Sequence, residues 1–264
     1  MLLQIVFGVL LAMLVIMVAA WAFGLAVKNG GWTDVFWSFG TGLLLAGAAF
    51  VATGTDISQA RRLLVAAFML IWGLRLGLYL APRVAGHPED ARYAAFRRDA
   101  KNYPLTMLWV SLPQAPATAL LALSVVAAAK RPAPELDVRD ALAAGLYLLA
   151  IAGETISDAQ MKRFRADPAN KGKVIETGLW AWSRHPNYFF QWLGWMAYPV
   201  MALDPSRPTS LLTLVAPAVM YGLLRYVSGV PPLEEAMLKS RGDAFRDYQK
   251  RVSVFFPLPP KQRA

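Results

Sequence analysis

Residues 1 to 27 carry no charged side chain, and that run limits the possible folds more than any other feature of the chain. It exceeds the roughly 17–25 apolar residues that cross a bilayer core. Hydrocarbon offers the backbone no water, so such a segment must close its own hydrogen bonds as a helix. A cleaved signal sequence is the competing reading, because Ala20, Trp21 and Ala22 resemble a small-residue cleavage site. No basic segment precedes the run, however, and its length is well beyond the roughly 7–15 residues of a signal core. A membrane span is the expectation.

Further apolar stretches follow at about 35–53, 63–82, 105–129, 141–161, 188–203 and 208–229, each bounded by charges or by proline and glycine. With 56% hydrophobic residues, nine tryptophans and only 17% charged residues, the chain is too oily for an average soluble domain. We therefore expect an all-α, multi-pass membrane bundle of seven transmembrane helices. Residues 1–264 would form a single domain, since no internal repeat or soluble segment is left over.

The basic residues give this bundle an orientation. Of the 27 lysines and arginines, nineteen fall on one side if the connections alternate: Lys28, Arg83, Arg92, Arg97, Arg98, Lys101, Lys162, Arg163, Arg165, Lys171, Lys173, Arg184 and the tail from Lys239 to Arg263. Arg61, Arg62, Lys130, Arg131, Arg139 and Arg207 fall on the other. The positive-inside rule then places the N-terminus outside and the C-terminus in the cytoplasm. The net charge of +10 is accounted for by topology and by attraction to anionic lipid, with no need for nucleic acid. A monomer is compatible with every feature. No cysteine is present, and His87 and His185 stand far apart without an HExxH pattern, so neither disulfides nor a zinc site are expected.

Ionisable groups within spans cost about 2.5–3.5 kcal/mol each on insertion scales and are therefore functional candidates. Arg75, Tyr79 and Arg83 recur every four residues, as do Glu154, Asp158 and Lys162, with Arg165 continuing that stripe. Asn187, Gln191 and Trp195 share a face, Asp34 opens the second span, and Arg225 lies near the end of the last. Under the orientation above, all of them are expected to face one cavity opening to the cytoplasm. Several arginines suit a ligand carrying several negative charges. The stretch SRHPNYFFQW at 183–192 sets Arg184, His185, Asn187 and Tyr188 around Pro186. A proline at the first helical position leaves free backbone N–H groups and the positive dipole end aimed at an anion. The bland reading of these residues is that paired charges and amides merely fix helix packing. Gly40, Gly42 and Gly47, and the Gly73/Gly77 pair, have the wrong context for a nucleotide loop and are read as close helix packing.

GLWAWSRHPNYFFQWLGW (178–195), IWGLRLGLYLAPRVAGHPEDARY (71–93) and SGVPPLEEAMLKSRGDAFRDYQKRVSVFFPLP (228–259) resemble bacterial members of the steroid 5-alpha-reductase family. The resemblance runs from Trp32 onward and is strongest over 140–260. It implies a seven-helix enzyme of the bacterial inner membrane that uses NADPH to reduce the carbon–carbon double bond of a hydrophobic, steroid-like enone. Carried over by position, it implies cofactor contacts from Arg75, Tyr79, Asp158, Arg165, Asn187, Trp195, Arg225 and Tyr248. The polarity argument adds Arg83, Glu154, Lys162, Arg184, His185, Tyr188 and Gln191 to that set. Glu154 stands where the family tends to have asparagine, and Gln191 where it tends to have glutamate. Asp34 is the nearest acid to the family's catalytic glutamate, and Tyr79 or a protonated Asp34 is the expected carbonyl donor. RHPNY followed by Glu234 and Glu235 also resembles isoprenylcysteine carboxyl methyltransferases, which use S-adenosylmethionine. A transporter or receptor is a third class, although such proteins often carry paired repeats.

Overall fold

A computed structural model describes residues 1–52, 54 and 56–262, with the side chains of 91 and 92 excepted; Arg263 and the side chain of Arg92, counted above among the basic residues, lie outside the described residues. Its elements are helices α1 (Leu2–Ala26), α2 (Trp32–Val51), α3 (Gln59–Gly86), α4 (Ala91–Asp99), α5 (Tyr103–Ser111), α6 (Gln114–Ala129), α7 (Val138–Ala166), α8 (Pro186–Trp195), α9 (Ala197–Ala202), α10 (Val215–Gly222), α11 (Val230–Arg241) and α12 (Asp243–Arg251). No strand occurs among the described residues. Among the described residues, six helical stretches are long and apolar enough to cross a membrane: Leu2–Ala26, Trp32–Val51, Gln59–Gly86, Tyr103–Ala129, Val138–Ala166 and Pro208–Arg241.

The stretch at 188–203, expected as one span, is two short helices, α8 and α9, that meet at Met196. Pro199 has no N–H to return to the carbonyl of Trp195, and its ring crowds that carbonyl. The turn closes instead with the Met196 N–H on Leu193 O at 3.1 Å. The last long stretch is also irregular, with a 3-10 turn at Pro208–Leu214 and a π turn at Leu223–Val227.

The chain divides into two units. One comprises Met1–Ala141 and Tyr198–Val219, the other Leu142–Ala197 and Met220–Ala264.

In the first unit, small residues let α2 approach its neighbours closely, the usual means of helix association where lipid removes the hydrophobic drive between helices. A Cβ built on Gly42 would stand 2.7 Å from the Gly73 Cα, and one on Gly73 would stand 3.0 Å from Ser38 O. Gly40 faces Ile16 and Met13 of α1, and Gly77 lies against the Phe39 ring, whereas Gly47 has no neighbour within 4 Å. The packing role expected of these glycines thus holds for all but Gly47. Hydroxyls tie the same bundle together: Trp37 donates to Thr118 Oγ1 at 3.0 Å, and Ser124 donates to Leu212 O while accepting from Ala216 N–H.

Arg61, counted from sequence as a loop charge, is instead completely buried on α3. All five of its N–H groups find acceptors: both oxygens of Asp140 at 2.8 Å and the carbonyls of Arg131, Ala133 and Glu135. A buried charge is tolerated only when compensated so fully. Arg131 also donates to Asp140 Oδ2 at 2.7 Å.

In the second unit, α7 and α8 pack where Gly153 meets the Phe190 ring. Phe189, Trp192, Tyr221, Phe255 and Phe256 form a cluster of edge-to-face and tilted rings, with centroids 5.1–6.2 Å apart. Helix α12 buries Phe245, Tyr248 and Val252 against Val174, Met237 and Leu238.

The glycine contacts carry a direct test. Gly73→Val forces α2 and α3 apart and should destabilise by about 1–3 kcal/mol, the usual penalty of overpacking, read as a lowered thermal midpoint in detergent. Gly47→Ala, in open space, should leave the midpoint unchanged.

Candidate functional site

The first unit carries four of the residues singled out from sequence. Asp34 stands in the first turn of α2 and accepts from the Tyr93 hydroxyl at 2.9 Å. The side chain of Tyr93 is almost wholly buried. On α3, the Arg75 guanidinium lies over the Tyr79 ring, 5.8 Å from its centroid, as their four-residue spacing requires. Arg83, one turn further, has an exposed side chain.

A clasp holds the start of α2. Asn29 donates to Val84 O at 3.0 Å and accepts from Gly31 N–H, while Gly30 N–H donates to Glu89 at 2.7 Å. Glu89 is gripped by both Arg97 nitrogens at 2.9 and 3.0 Å and by the Tyr103 hydroxyl at 3.2 Å. Partial burial would push the Glu89 carboxyl up. Arg97 and the Gly30 N–H outweigh it and hold the group below its usual 4.5.

The second unit carries the rest. Glu154 and Asp158 are buried on α7, and Asp158 accepts from Asn187 of α8 at 3.3 Å. Farther along α7 the stripe surfaces, with Lys162 and Arg165 exposed. Gln191 and Trp195 are buried on α8. Arg225 lies in the π turn with its guanidinium 4.8 Å from the Tyr226 ring centroid.

The SRHPN segment is fastened to the end of the chain. Ser183 donates to Phe255 O at 2.8 Å, and Arg184 N–H donates to Ser253 O at 2.8 Å. The Arg184 guanidinium, expected at the mouth of an anion site, spends its donors within the protein. Nε and Nη2 hold both oxygens of Glu234 at 2.7 and 3.2 Å, and Nη1 donates to the carbonyls of Gln249 and Val252. His185 meets the same Glu234 at 3.1 Å and stacks on Tyr188, rings 9° from parallel. Burial pushes the His185 pKa below the usual 6.5, against the pull of Glu234. Since the Glu234 carboxylate only accepts, Nε2 of His185 carries the proton. Gln249 adds another donor to Glu234 at 2.7 Å, and the buried Tyr248 hydroxyl donates to Trp180 O at 2.6 Å. Burial raises the pKa of that phenol.

A cavity of about 360 Å3 opens where α7 ends, lined by Phe164, Arg165, Lys171, Lys173, Ile175, Met237 and Arg241 among others. Gly172, at φ +83°, makes the tight turn that sets Lys171 and Lys173 on either side. The acid on this wall, Asp167, is occupied in capping Ala169 N–H at 2.9 Å. Arginine and lysine donors around an apolar wall form a cavity that can hold a phosphorylated, partly flat ligand.

Tyr93, Glu234, Lys173 and Arg241 were not assigned site roles from sequence. Tyr93 lies in a connecting helix with no periodic signal, and Lys173 and Arg241 read as solvated loop and tail charges. Glu234 had a signal, an acid pair just after two prolines.

Residues 20–252 match the family described as "Protein of unknown function (DUF1295)". An uncharacterized protein of Schizosaccharomyces pombe is 25% identical over 265 residues, a match covering 90% of this chain and 75% of that protein. No solved structure matches the chain.

The Glu89 clasp should depend on pH in one direction. A carboxyl whose folded pKa is depressed stabilises above its unfolded value and loses that contribution as pH falls through the folded one. Hydrogen exchange at Gly30 and Gly31 should therefore quicken below pH 4.5, and Glu89→Gln should remove that dependence. The Arg184 fastening predicts that Glu234→Ala, which leaves a partly buried guanidinium without its carboxylate, destabilises the protein by about 3 kcal/mol or more, read as a lowered thermal midpoint.

With the match covering most of its length, the chain belongs to the DUF1295 family.

Proposed function

We propose that this protein is a membrane-embedded reductase that takes NADPH and a lipid-soluble enone. The observation that carries this reading is the basic cavity at the end of α7, in which Arg165, Lys171, Lys173 and Arg241 surround an apolar wall of Phe164, Ile175 and Met237. Its donors suit phosphate oxygens, and its apolar side suits a flat base, so the residues fit one end of a phosphorylated dinucleotide. When bound, NADPH would supply a hydride to the β carbon of the enone, and solvent or a nearby acid would supply the proton to the α carbon.

The chain's own residues do the rest. Asp34 and Tyr93, joined at 2.9 Å, form an acid–hydroxyl pair of the kind that hydrogen-bonds a carbonyl oxygen and stabilises the developing enolate. In this reading Tyr79 or a protonated Asp34 donates to the carbonyl; as the neutral acid Asp34 can donate through one oxygen while the other accepts from Tyr93. The resemblance to steroid 5-alpha-reductases supports the substrate class. The distribution of basic residues supports cytoplasmic access and an external N-terminus, and the resemblance to bacterial family members supports the inner membrane. Helices α8 and α9 together supply a seventh, broken crossing.

A second reading rests on the contact between His185 and Glu234 at 3.1 Å. That contact joins RHPNY to the later acid, the two sequence features shared with isoprenylcysteine carboxyl methyltransferases. Glu235, the other half of the acid pair, is exposed and paired with Lys239.

Purified protein should be stabilised by NADPH more than by NADH, and it should oxidise NADPH when a 3-oxo-4-ene steroid or a similar enone is added. Arg165→Ala should weaken NADPH binding by about tenfold, the worth of one charged hydrogen bond. No response to either nicotinamide cofactor, with stabilisation by S-adenosylhomocysteine, would replace the reductase with the methyltransferase.

A further inference from the structure

A second cavity, also about 360 Å3, lies wholly within the first unit, where α1 begins and α6 ends. One side is apolar, with Leu2 and Val126; the other carries Lys130, Arg131, Arg207 and Thr209. The reductase reading makes no use of it.

Its charges do not cancel. Arg131 is matched by Asp140 and Asp137 at 2.7 and 2.9 Å, and Arg207 by Asp204 at 2.8 Å. Asp140 also holds Arg61, so these two arginines balance the two aspartates. Lys130 has no acidic partner among the described residues, which leaves its positive charge in surplus at the cavity wall. Arg131 is also short of an acceptor. It is 3% exposed, and its buried Nε–H has no hydrogen-bond partner. A buried donor left unsatisfied costs about 1–3 kcal/mol.

We propose that this cavity binds the phosphate of an anionic glycerophospholipid. Three features select a lipid over a free anion. Leu2 is the first residue of an uncharged span and Val126 lies in the last turn of α6, so the cavity sits at the edge of the apolar zone. Beyond it, Leu3 and Phe7 of α1 are 78% and 59% exposed, an apolar path for an acyl chain. The surplus positive charge at Lys130 suits the negative charge of a phosphodiester. Basic pockets between membrane helices recognise lipid headgroups by this combination of charge and depth.

The test uses the full-length protein, stripped of lipid in detergent. Phosphatidylglycerol, phosphatidylcholine or inorganic phosphate is added at equal concentration, and the thermal midpoint and the lipid retained in native mass spectra are read. Phosphatidylglycerol should raise the midpoint and stay bound, whereas the other two should do neither. Lys130→Glu should weaken its retention by about tenfold, as the loss of one charged contact does. The milder Lys130→Gln provides the same reading should the first variant fold poorly. Lys250→Glu, on the exposed face of α12, should change nothing. Equal effects of the two lipids, a shift reproduced by phosphate alone, or undiminished retention in both Lys130 variants would each overturn the proposal.

Discussion

Hydrocarbon has no hydrogen bonds to offer, and any polar group placed in it must find its partner within the protein. The arrangement of this chain follows from that constraint. Arg61 sits at zero exposure because five acceptors surround it. Asp158 has Asn187, Asp34 has Tyr93, and Ser124 serves as donor and acceptor at once. Each such pairing joins segments distant in sequence, so the need to satisfy isolated polar groups also fixes which helices lie together. Close helix approach at Gly42 and Gly73 is the apolar counterpart, supplying contact where water supplies no drive.

Much of this architecture is legible in the sequence, because long uncharged runs have few alternatives to a helix. The spans at α1, α2, α3, α6 and α7 stand where apolar runs place them. What escaped was irregular or amphipathic. Pro199 splits the stretch at 188–203, a local backbone effect that hydropathy alone does not register. Helices α4, α11 and α12 were read as connections and tail, since their apolar faces are narrow. Arg61 was misread because a charge at a span boundary looks solvated until its acceptors, 70 to 79 residues away, are known.

The candidate site divides in the same way. Periodicity identified Arg75 with Tyr79 and the α7 stripe, because residues four apart on a helix must share a face. Arg184 illustrates the limit. Its place before a helix starting at Pro186 pointed to an anion, yet the partner that takes up its charge is Glu234, fifty residues later. Local sequence reveals that a polar group needs compensation but not whether a ligand or the protein supplies it. The cavity at Arg165 combines one expected residue with Lys171, Lys173 and Arg241, the last brought in from α11 by its bond to Lys173 O.

The fastening of Ser183 to Phe255 bears on biosynthesis. The acceptor lies 72 residues downstream of the donor, so a ribosome making about 5–20 residues per second completes it several seconds after Ser183 is polymerised. Through that interval the start of α8 lacks its carbonyl partner on Phe255, and for the first fifty residues of it also the Glu234 carboxylate that neutralises Arg184. The segment therefore matures late, after the helices around it have entered the bilayer. A nascent chain stalled short of Ser253 would hold inserted helices and an unfinished turn, the kind of half-built intermediate that membrane quality control removes.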